Sequence, residues 1–208
     1  EVLDVISRSP NELPPVLESI LDVASRLCKP QYAYVALLNP IDNLYHMQAS
    51  RNVTDEFFTY LKANPIEPSH GTCTGRAALL RQTVYIKDTK NDDSYEWKEA
   101  AHRGNFLATV GVPLIKNGIA VGVITLAHAE VEAFSAKQIA MVETFAAQAV
   151  IAIANARLFN ELQERTAEVT EALEQQKASA EILRVISQSP TDVMPVFEAI
   201  VQAGVNLV

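Results

Sequence analysis

The sequence predicts an α+β fold in which antiparallel β-hairpins alternate with short helices and precede one very long helix. Two apolar, β-forming runs flank Asn117-Gly118, a dipeptide that favours a type I′ hairpin turn. A third apolar run, residues 32–38, is followed by turn residues and a partner strand. Residues 134–189 contain neither proline nor glycine, which favours an uninterrupted helix. We therefore expect the strands and short helices to form one domain, and the last helix to extend beyond it.

The first third of the chain predicts a helix, a hairpin and a second helix. Asn11 can cap the first helix, whose apolar residues recur at helical spacing and which we expect to end near residues 29–30. Strands 32–38 and 44–50 form the hairpin. Thr54 caps the following helix, and two prolines stop it near residue 64.

The middle of the chain predicts smaller elements and then the second hairpin. Residues 71–82 contain a flexible, glycine-containing loop followed by a short helix. Residues 83–88 form a short strand. The polar segment 91–104 becomes a helix that ends at Gly104. Residues 106–129 form the Asn-Gly hairpin, whose long apolar runs place it in the middle of a sheet covered on at least one face.

The long helix begins at a capping box formed by Ser135 and Gln138. If it is continuous it spans about 54 residues, or roughly 80 Å at 1.5 Å per residue. No single domain needs a helix of this length. One apolar stripe follows helical spacing and then stops, and we assign it to the domain's own sheet: Ile139, Val142, Ala146, Ala149 and Ile153.

A second stripe on this helix alternates spacings of four and three, which is typical of a coiled coil. We call it the heptad seam: Met141, Phe145, Gln148, Ala152, Asn155, Phe159, Leu162, Thr166, Val169, Leu173, Gln176, Ala180 and Leu183. From Phe159 onward no domain is at hand to cover the stripe. We therefore expect a homodimer through parallel helices, in which polar members of the seam specify register at a cost in stability. The alternative is a solvated spacer helix.

The end of the chain repeats its beginning. Residues 181–208 align without a gap with residues 1–28, and both copies carry Ser-x-Ser-Pro followed by Pro-Val. Such a repeat indicates a module, a connector and the start of another module. We expect the chain to be a piece of a longer protein, with these parts: the end of an upstream connector helix at 1–10, a domain at 11–155, a coiled-coil linker at 156–189 and the first helix of a second, truncated domain at 190–208.

Composition excludes several classes of function. The formal net charge of −8 argues against nucleic-acid binding, which needs clustered Lys and Arg. Polar residues interrupt the most apolar stretch, 139–159, so we expect no membrane insertion. Two cysteines do not make a disulfide framework, which favours a reducing, cytoplasmic location.

Three stretches carry a family resemblance: GTCTGRAALLRQTVYIKD, ATVGVPLIKNGIAVGVITLAH and AFSAKQIAMVETFAAQAVIAIANARLFNEL. They resemble the GAF domain over about residues 11–160. The resemblance implies a central antiparallel sheet of five or six strands, with the first and last helices on one face and a small-molecule pocket on the other. Residues 11–155 would be one GAF domain and 190–208 the start of another. The tandem arrangement is similar to bacterial sensor histidine kinases of two-component systems and to nucleotide cyclases.

The resemblance places the ligand-binding candidates on the pocket side of the sheet. They are Cys73, Thr74, Arg76, Tyr95, Trp97 and His102. Arg76 can pair with an anionic ligand or with a structural carboxylate such as Asp88. Cys73 is either a thiol activated by a helix N-terminus or a half-buried structural residue. Cys28 falls on an apolar stripe and is expected in the core.

Known GAF ligands leave no clear signature in this sequence. Cyclic-nucleotide-binding members carry acidic residues where this chain has Lys137 and Gln138. Bilin attachment often uses a cysteine followed by histidine, and Cys73 is followed by Thr74. The four histidines lack the spacing of metal ligands, so the sequence predicts no metal site and names no cofactor.

Catalysis has little support in the sequence. Free methionine sulfoxide reductases use a GAF fold with several cysteines, and no other catalytic constellation is present. The sequence therefore predicts a non-catalytic GAF sensor or regulatory module that dimerises. It would relay a small-molecule or upstream signal through its coiled coil to an output domain such as a histidine kinase. A ligand-free dimerisation or spacer module is the alternative, followed by a thiol-based redox enzyme.

Overall fold

A computed structural model of the chain describes residues 13–188. The predicted Asn11 cap, the upstream connector at 1–10 and the second module at 190–208 lie outside the described residues. The described elements, in chain order, are α1 (Leu13–Cys28), β1 (Tyr32–Leu38), β2 (Tyr45–Arg51), α2 (Asp55–Ala63), α3 (Cys73–Leu80), β3 (Val84–Ile86), α4 (Lys98–Arg103), β4 (Ala108–Lys116), β5 (Ile119–His128) and α5 (Ala136–Gln188).

The strands form one five-stranded antiparallel sheet in the order β2-β1-β5-β4-β3. The predicted hairpins β1–β2 and β4–β5 lie side by side because β1 pairs with β5. At the β4–β5 turn, Asn117 and Gly118 have φ of 52° and 76°, as a type I′ turn requires. The expected α+β fold is confirmed.

The third strand is shorter than the 83–88 segment predicted for it. It ends at Ile86. The carboxylate of Asp88 accepts hydrogen bonds from the Lys90 backbone N–H and the Asn91 side chain, which turns the chain.

The sheet separates two hydrophobic cores. Strand alternation divides β1 between them: Val35 and Leu37 face the helix-side core, while Tyr32, Tyr34 and Ala36 face the other. Helices α1 and α5 cover the first face. Helices α2, α3 and α4 cover the second, which we call the pocket face.

Helix α5 begins at the predicted capping box. The Ser135 N–H and hydroxyl both donate to the Gln138 side-chain oxygen, at 2.9 and 2.8 Å, and the Gln138 N–H lies 3.3 Å from the Ser135 hydroxyl. The stripe assigned to the domain's own sheet is buried or packed against the helix-side core, as predicted. Two residues assigned to the heptad seam, Phe145 and Ala152, lie in that same core. The buried face of α5 is therefore wider than one stripe.

The chain divides into two compact units after Arg157. In the described part of the second unit, residues 158–188, the chain is a single helix. Its large apolar side chains are exposed, Leu162 to 62%, Val169 to 67% and Leu173 to 48%. By length and composition alone, the Ala136–Arg184 part of α5 could cross a membrane. However, 44% of the most apolar stretch of this helix is buried inside the structure, as in the core helix of a folded domain.

Candidate functional site

A small cavity, which we call the central cavity, lies under the helices of the pocket face. Its volume is about 10 Å³, close to the least that holds one water molecule. The lining comes from β1, β4, β5, the three covering helices and the 88–97 segment: Tyr32, Tyr34, Phe57, Leu61, Thr72, Cys73, Thr74, Tyr95, Trp97, Ala100, Phe106, Thr109 and Thr125. None of these side chains is charged. The lining therefore suits a neutral group.

A chain of three hydroxyls crosses this cavity. Tyr34 and Thr125 are direct partners in the β1–β5 register, so both side chains point to the pocket face. Thr74, in the first turn of α3, lies between them, with its Oγ1 2.7 Å from the Tyr34 hydroxyl and 2.8 Å from Thr125 Oγ1. Burial raises the pKa of Tyr34 to about 12. The phenol therefore stays neutral and can donate as well as accept a hydrogen bond.

Two further tyrosines, Tyr32 and Tyr95, add phenol groups to the lining. Both side chains are buried. Their rings pack edge to face against Phe106, with centroids 5.7 and 6.4 Å away. Burial raises the pKa of both phenols. The cavity thus offers neutral hydroxyls for recognition in an aromatic frame.

Cys73 is held as a neutral thiol. Its Sγ lies 3.5 Å from the carbonyl oxygens of Val84 and Thr109 and donates towards them. Burial raises the pKa of Cys73 to about 12, which outweighs the opposing effect of Arg76. Little Cys73 thiolate therefore forms near neutral pH.

Arg76 forms an ion pair and hydrogen bonds within the domain. Its guanidinium donates to both carboxylate oxygens of Asp92, at 2.8 and 3.1 Å, and to the His70 carbonyl. The structural carboxylate is therefore Asp92 and not Asp88, which bonds within its own turn. The pair fastens α3 to the 88–97 segment that covers the cavity.

A family model for the GAF domain matches residues 11–154. This chain belongs to the GAF domain family. The match spans the complete sheet and the cavity, so these features are those of a GAF domain. No curated protein matches the chain.

Solved structures share this GAF fold at low sequence identity. A GAF domain/HD domain protein from Geobacter sulfurreducens is 16% identical, with a TM-score of 0.63 over 73% of this chain and 97% of its own. A domain of a two-component sensor histidine kinase protein from Sinorhizobium meliloti 1021 is 18% identical, with a TM-score of 0.57 over 72% and 94%. Free methionine-R-sulfoxide reductase from Neisseria meningitidis is 13% identical, with a TM-score of 0.60 over 76% and 86%. The fold thus occurs in both signalling proteins and enzymes.

Four of the six candidate ligand residues line the GAF cavity: Cys73, Thr74, Tyr95 and Trp97. Trp97 packs against Tyr60 at a centroid distance of 6.2 Å. Arg76 pairs with Asp92, and His102 lies on the exposed face of α4, where it lines a separate surface cavity. Neither of these two lines the central cavity.

Sequence reasoning missed the strand residues of the site: Tyr32, Tyr34, Thr109 and Thr125. The spacing of Tyr32 and Tyr34 shows that they share one face of β1. It does not show which face holds the cavity.

Among residues 13–188, no three His, Cys, Asp or Glu side chains cluster as metal ligands.

Proposed function

We propose that this GAF domain is a non-catalytic sensor module that forms a homodimer through parallel α5 helices. It relays a small-molecule or upstream signal along them to an output domain such as a histidine kinase. GAF domains are regulatory and sensory modules in general, and a neighbour in fold is part of a sensor histidine kinase protein. The proposal places the domain in the bacterial cytoplasm, where its two cysteines stay reduced.

Helix α5 is the observation that carries this proposal. It contributes Val142, Ala146 and Ile153 to the helix-side core, and it continues without a break to Gln188. Beyond residue 157 its leucine and valine side chains are exposed at heptad spacing. A second helix packed in register would bury them. Since Phe145 and Ala152 lie in the domain's core, the proposed partner contact begins near Phe159.

The sheet offers a physical route from the cavity to this helix. Thr125 of β5 joins the hydroxyl chain on the pocket face, while its neighbours Ile124 and Leu126 belong to the helix-side core that holds α5. A ligand that displaced Thr125 would shift β5, and the shift would reach the packing of α5. The route needs no contact between the ligand and the helix.

A ligand-free dimerisation module is the second candidate, and the cavity volume of about 10 Å³ favours it. The thiol enzyme has less support. Cys28 lies in the helix-side core and Cys73 in the pocket-side core, so the sheet separates the two sulfurs. Thiol exchange between them would require the domain to open.

Sedimentation velocity and native mass spectrometry at tens of micromolar test the proposal. We expect the full chain to be a dimer and Leu173→Asp to be a monomer, because the carboxylate would lie in an apolar seam. Gln175→Asp is the matched control, since it adds the same charge on an exposed position outside the seam. It should remain a dimer. A monomeric wild-type chain, or equal behaviour of the two variants, contradicts the relay.

Native mass spectrometry of freshly purified protein separates the two candidates. A mass excess that unfolding releases indicates a retained ligand. A dimer of the bare chain mass favours the ligand-free module.

A further inference from the structure

A second cavity, which we call the outer cavity, opens between α4, the 89–90 segment and Ala129, the residue that follows β5. Its volume is about 440 Å³, within the range of small-molecule sites. Phe106 is the only lining residue it shares with the central cavity.

The outer cavity has both apolar and basic lining residues. Phe106, Leu107 and Ala101 are the apolar part, which we call the apolar floor, and Lys90 and Lys98 supply the charge. His102 and Asn105 add polar groups at the rim, and none of the lining residues is acidic: Thr89, Lys90, Lys98, Ala101, His102, Asn105, Phe106, Leu107 and Ala129. In a chain with a net charge of −8, an acid-free basic cavity favours an anion.

The Lys98 ammonium is oriented by backbone carbonyls and not by a carboxylate. Its ammonium donates to the backbone carbonyls of Thr89, at 2.7 Å, and Asp92, at 3.4 Å. An ammonium has three donors, so one remains for a further acceptor. The Asp92 carboxylate interacts electrostatically with Lys98, but its two oxygens accept from Arg76. Two neutral carbonyls therefore orient Lys98, and in the described part of the chain its ammonium donates to no carboxylate oxygen.

Thr89 supplies an independent sign of a missing partner. The residue lines the outer cavity and is only 1% exposed. Within the described residues its buried hydroxyl has no hydrogen-bond partner. Buried polar groups are nearly always paired, because leaving one unpaired costs free energy. A ligand acceptor beside Lys98 would satisfy this hydroxyl.

We propose that the outer cavity binds a small organic carboxylate. The carboxylate accepts hydrogen bonds from the Lys98 ammonium and the Thr89 hydroxyl, and the apolar body of the ligand covers Phe106 and Leu107. The apolar floor is what selects an organic acid over inorganic phosphate. The site goes beyond the sensor proposal, since it depends neither on dimer formation nor on the central cavity.

Amide NMR titration of the full chain tests this site with phenylacetate as the probe. We expect saturable shifts centred on residues 89–90 and 98–107. Phenylacetamide, which has the same shape without the charge, should bind roughly tenfold more weakly, the loss expected for one charge-assisted hydrogen bond. Absence of saturable shifts, an equal response to phenylacetamide, or tighter binding of inorganic phosphate would overturn the proposal.

Two variants locate the binding groups. Lys98→Gln should weaken phenylacetate roughly tenfold, whereas Lys62→Gln, at an exposed lysine of α2, should leave binding unchanged. Thr89→Val should also weaken binding. It should not lower the urea midpoint, because the hydroxyl it removes has no partner to lose. Wild-type affinity of Lys98→Gln for phenylacetate would overturn the assignment. If that variant is unstable, wild-type affinity of Thr89→Val would overturn it instead, because we expect Thr89→Val to keep the fold.

Discussion

Arg76 and Asp92 form a two-pronged ion pair, with N–O distances of 2.8 and 3.1 Å. Both side chains are largely buried, with 14% and 22% of their surface exposed. Planar guanidinium and carboxylate groups match in this geometry, which makes the pair stronger than a single contact. It joins the first turn of α3 to the segment that covers the central cavity.

Breaking this pair should loosen the cover of the cavity. We expect Asp92→Asn to lower the free energy of unfolding by about 1–2 kcal/mol, less than for a fully buried pair because some solvent reaches it. Amide hydrogen exchange in the 93–97 segment should accelerate. Asp93→Asn is the control, since that neighbouring side chain is exposed. Equal exchange rates in the two variants would show that the pair does not hold the segment.

The same pair has a defined pH dependence. The hydrogen bond from Arg76 is the main reason that the pKa of Asp92 lies below its ordinary value of 3.8. A depressed carboxyl pKa stabilises the fold above the unfolded-state value, and that contribution disappears as the pH falls below it. The stability difference between wild type and Asp92→Asn should therefore be present at pH 6 and shrink below about pH 3.8. Urea titrations at several pH values measure it.

The hydroxyl chain predicts an unequal response to removing its members. Thr74→Val leaves both the Tyr34 and Thr125 hydroxyls without partners, and we expect it to cost about 2–3 kcal/mol. Tyr34→Phe leaves the Thr74–Thr125 bond intact and should cost about 1 kcal/mol. The triple variant Tyr34→Phe, Thr74→Val, Thr125→Val should recover much of the lost stability, because no hydroxyl is left without a partner. Urea unfolding midpoints measure these differences. A Thr74→Val protein as stable as Tyr34→Phe would argue against the hydroxyl chain.

Local signals made most of the fold predictable. The Asn-Gly turn, the Thr54 cap and the Ser135–Gln138 capping box depend on residues close in sequence, and each of these three signals occurs in the structure at its predicted position. The pairing of Tyr34 with Thr125 depends instead on how two distant hairpins align. Alternation along one strand does not reveal that register. The hydroxyl chain therefore became visible only in three dimensions.

The heptad seam shows a different limit of sequence reasoning. The spacing is regular from residue 141 to 183, but Phe145 and Ala152 lie in the domain's own core. Periodicity gives the direction of a stripe on a helix and not the width of the face that its neighbours bury. The seam side chains become exposed beyond residue 157 because the domain ends there. Heptad spacing is the same on both sides of that residue, so it could not predict this change.

The buried phenols and thiol predict a loss of stability at alkaline pH. Burial raises the pKa of Tyr34 from 10.0 to about 12 and that of Cys73 from 9.0 to about 12, and it also raises those of Tyr32 and Tyr95. A raised folded-state pKa leaves stability intact below the unfolded-state value, and stability then falls as the pH rises towards the folded-state value. Each such group contributes about 1.4 kcal/mol per pH unit in that window.

Denaturant titrations between pH 8 and 11 measure this slope. We expect the free energy of unfolding to be nearly constant up to about pH 9 and to fall above it. Tyr34→Phe removes one titrating group, so its slope should be shallower than that of wild type by about 1.4 kcal/mol per pH unit above pH 10. Parallel slopes would indicate that Tyr34 titrates normally in the folded chain.

Thiol labelling tests whether Cys73 can act as a nucleophile. Because the Cys73 thiol is 3% exposed and its pKa is raised, we expect a disulfide reagent at pH 8 to leave it unmodified in the native protein. Cys28 is also buried, with its pKa raised to about 11, and should behave alike. Both should react after unfolding in urea. The single variants Cys28→Ser and Cys73→Ser assign any native labelling to one sulfur, and rapid labelling of Cys73 in the Cys28→Ser protein would support the thiol-enzyme alternative over the sensor proposal.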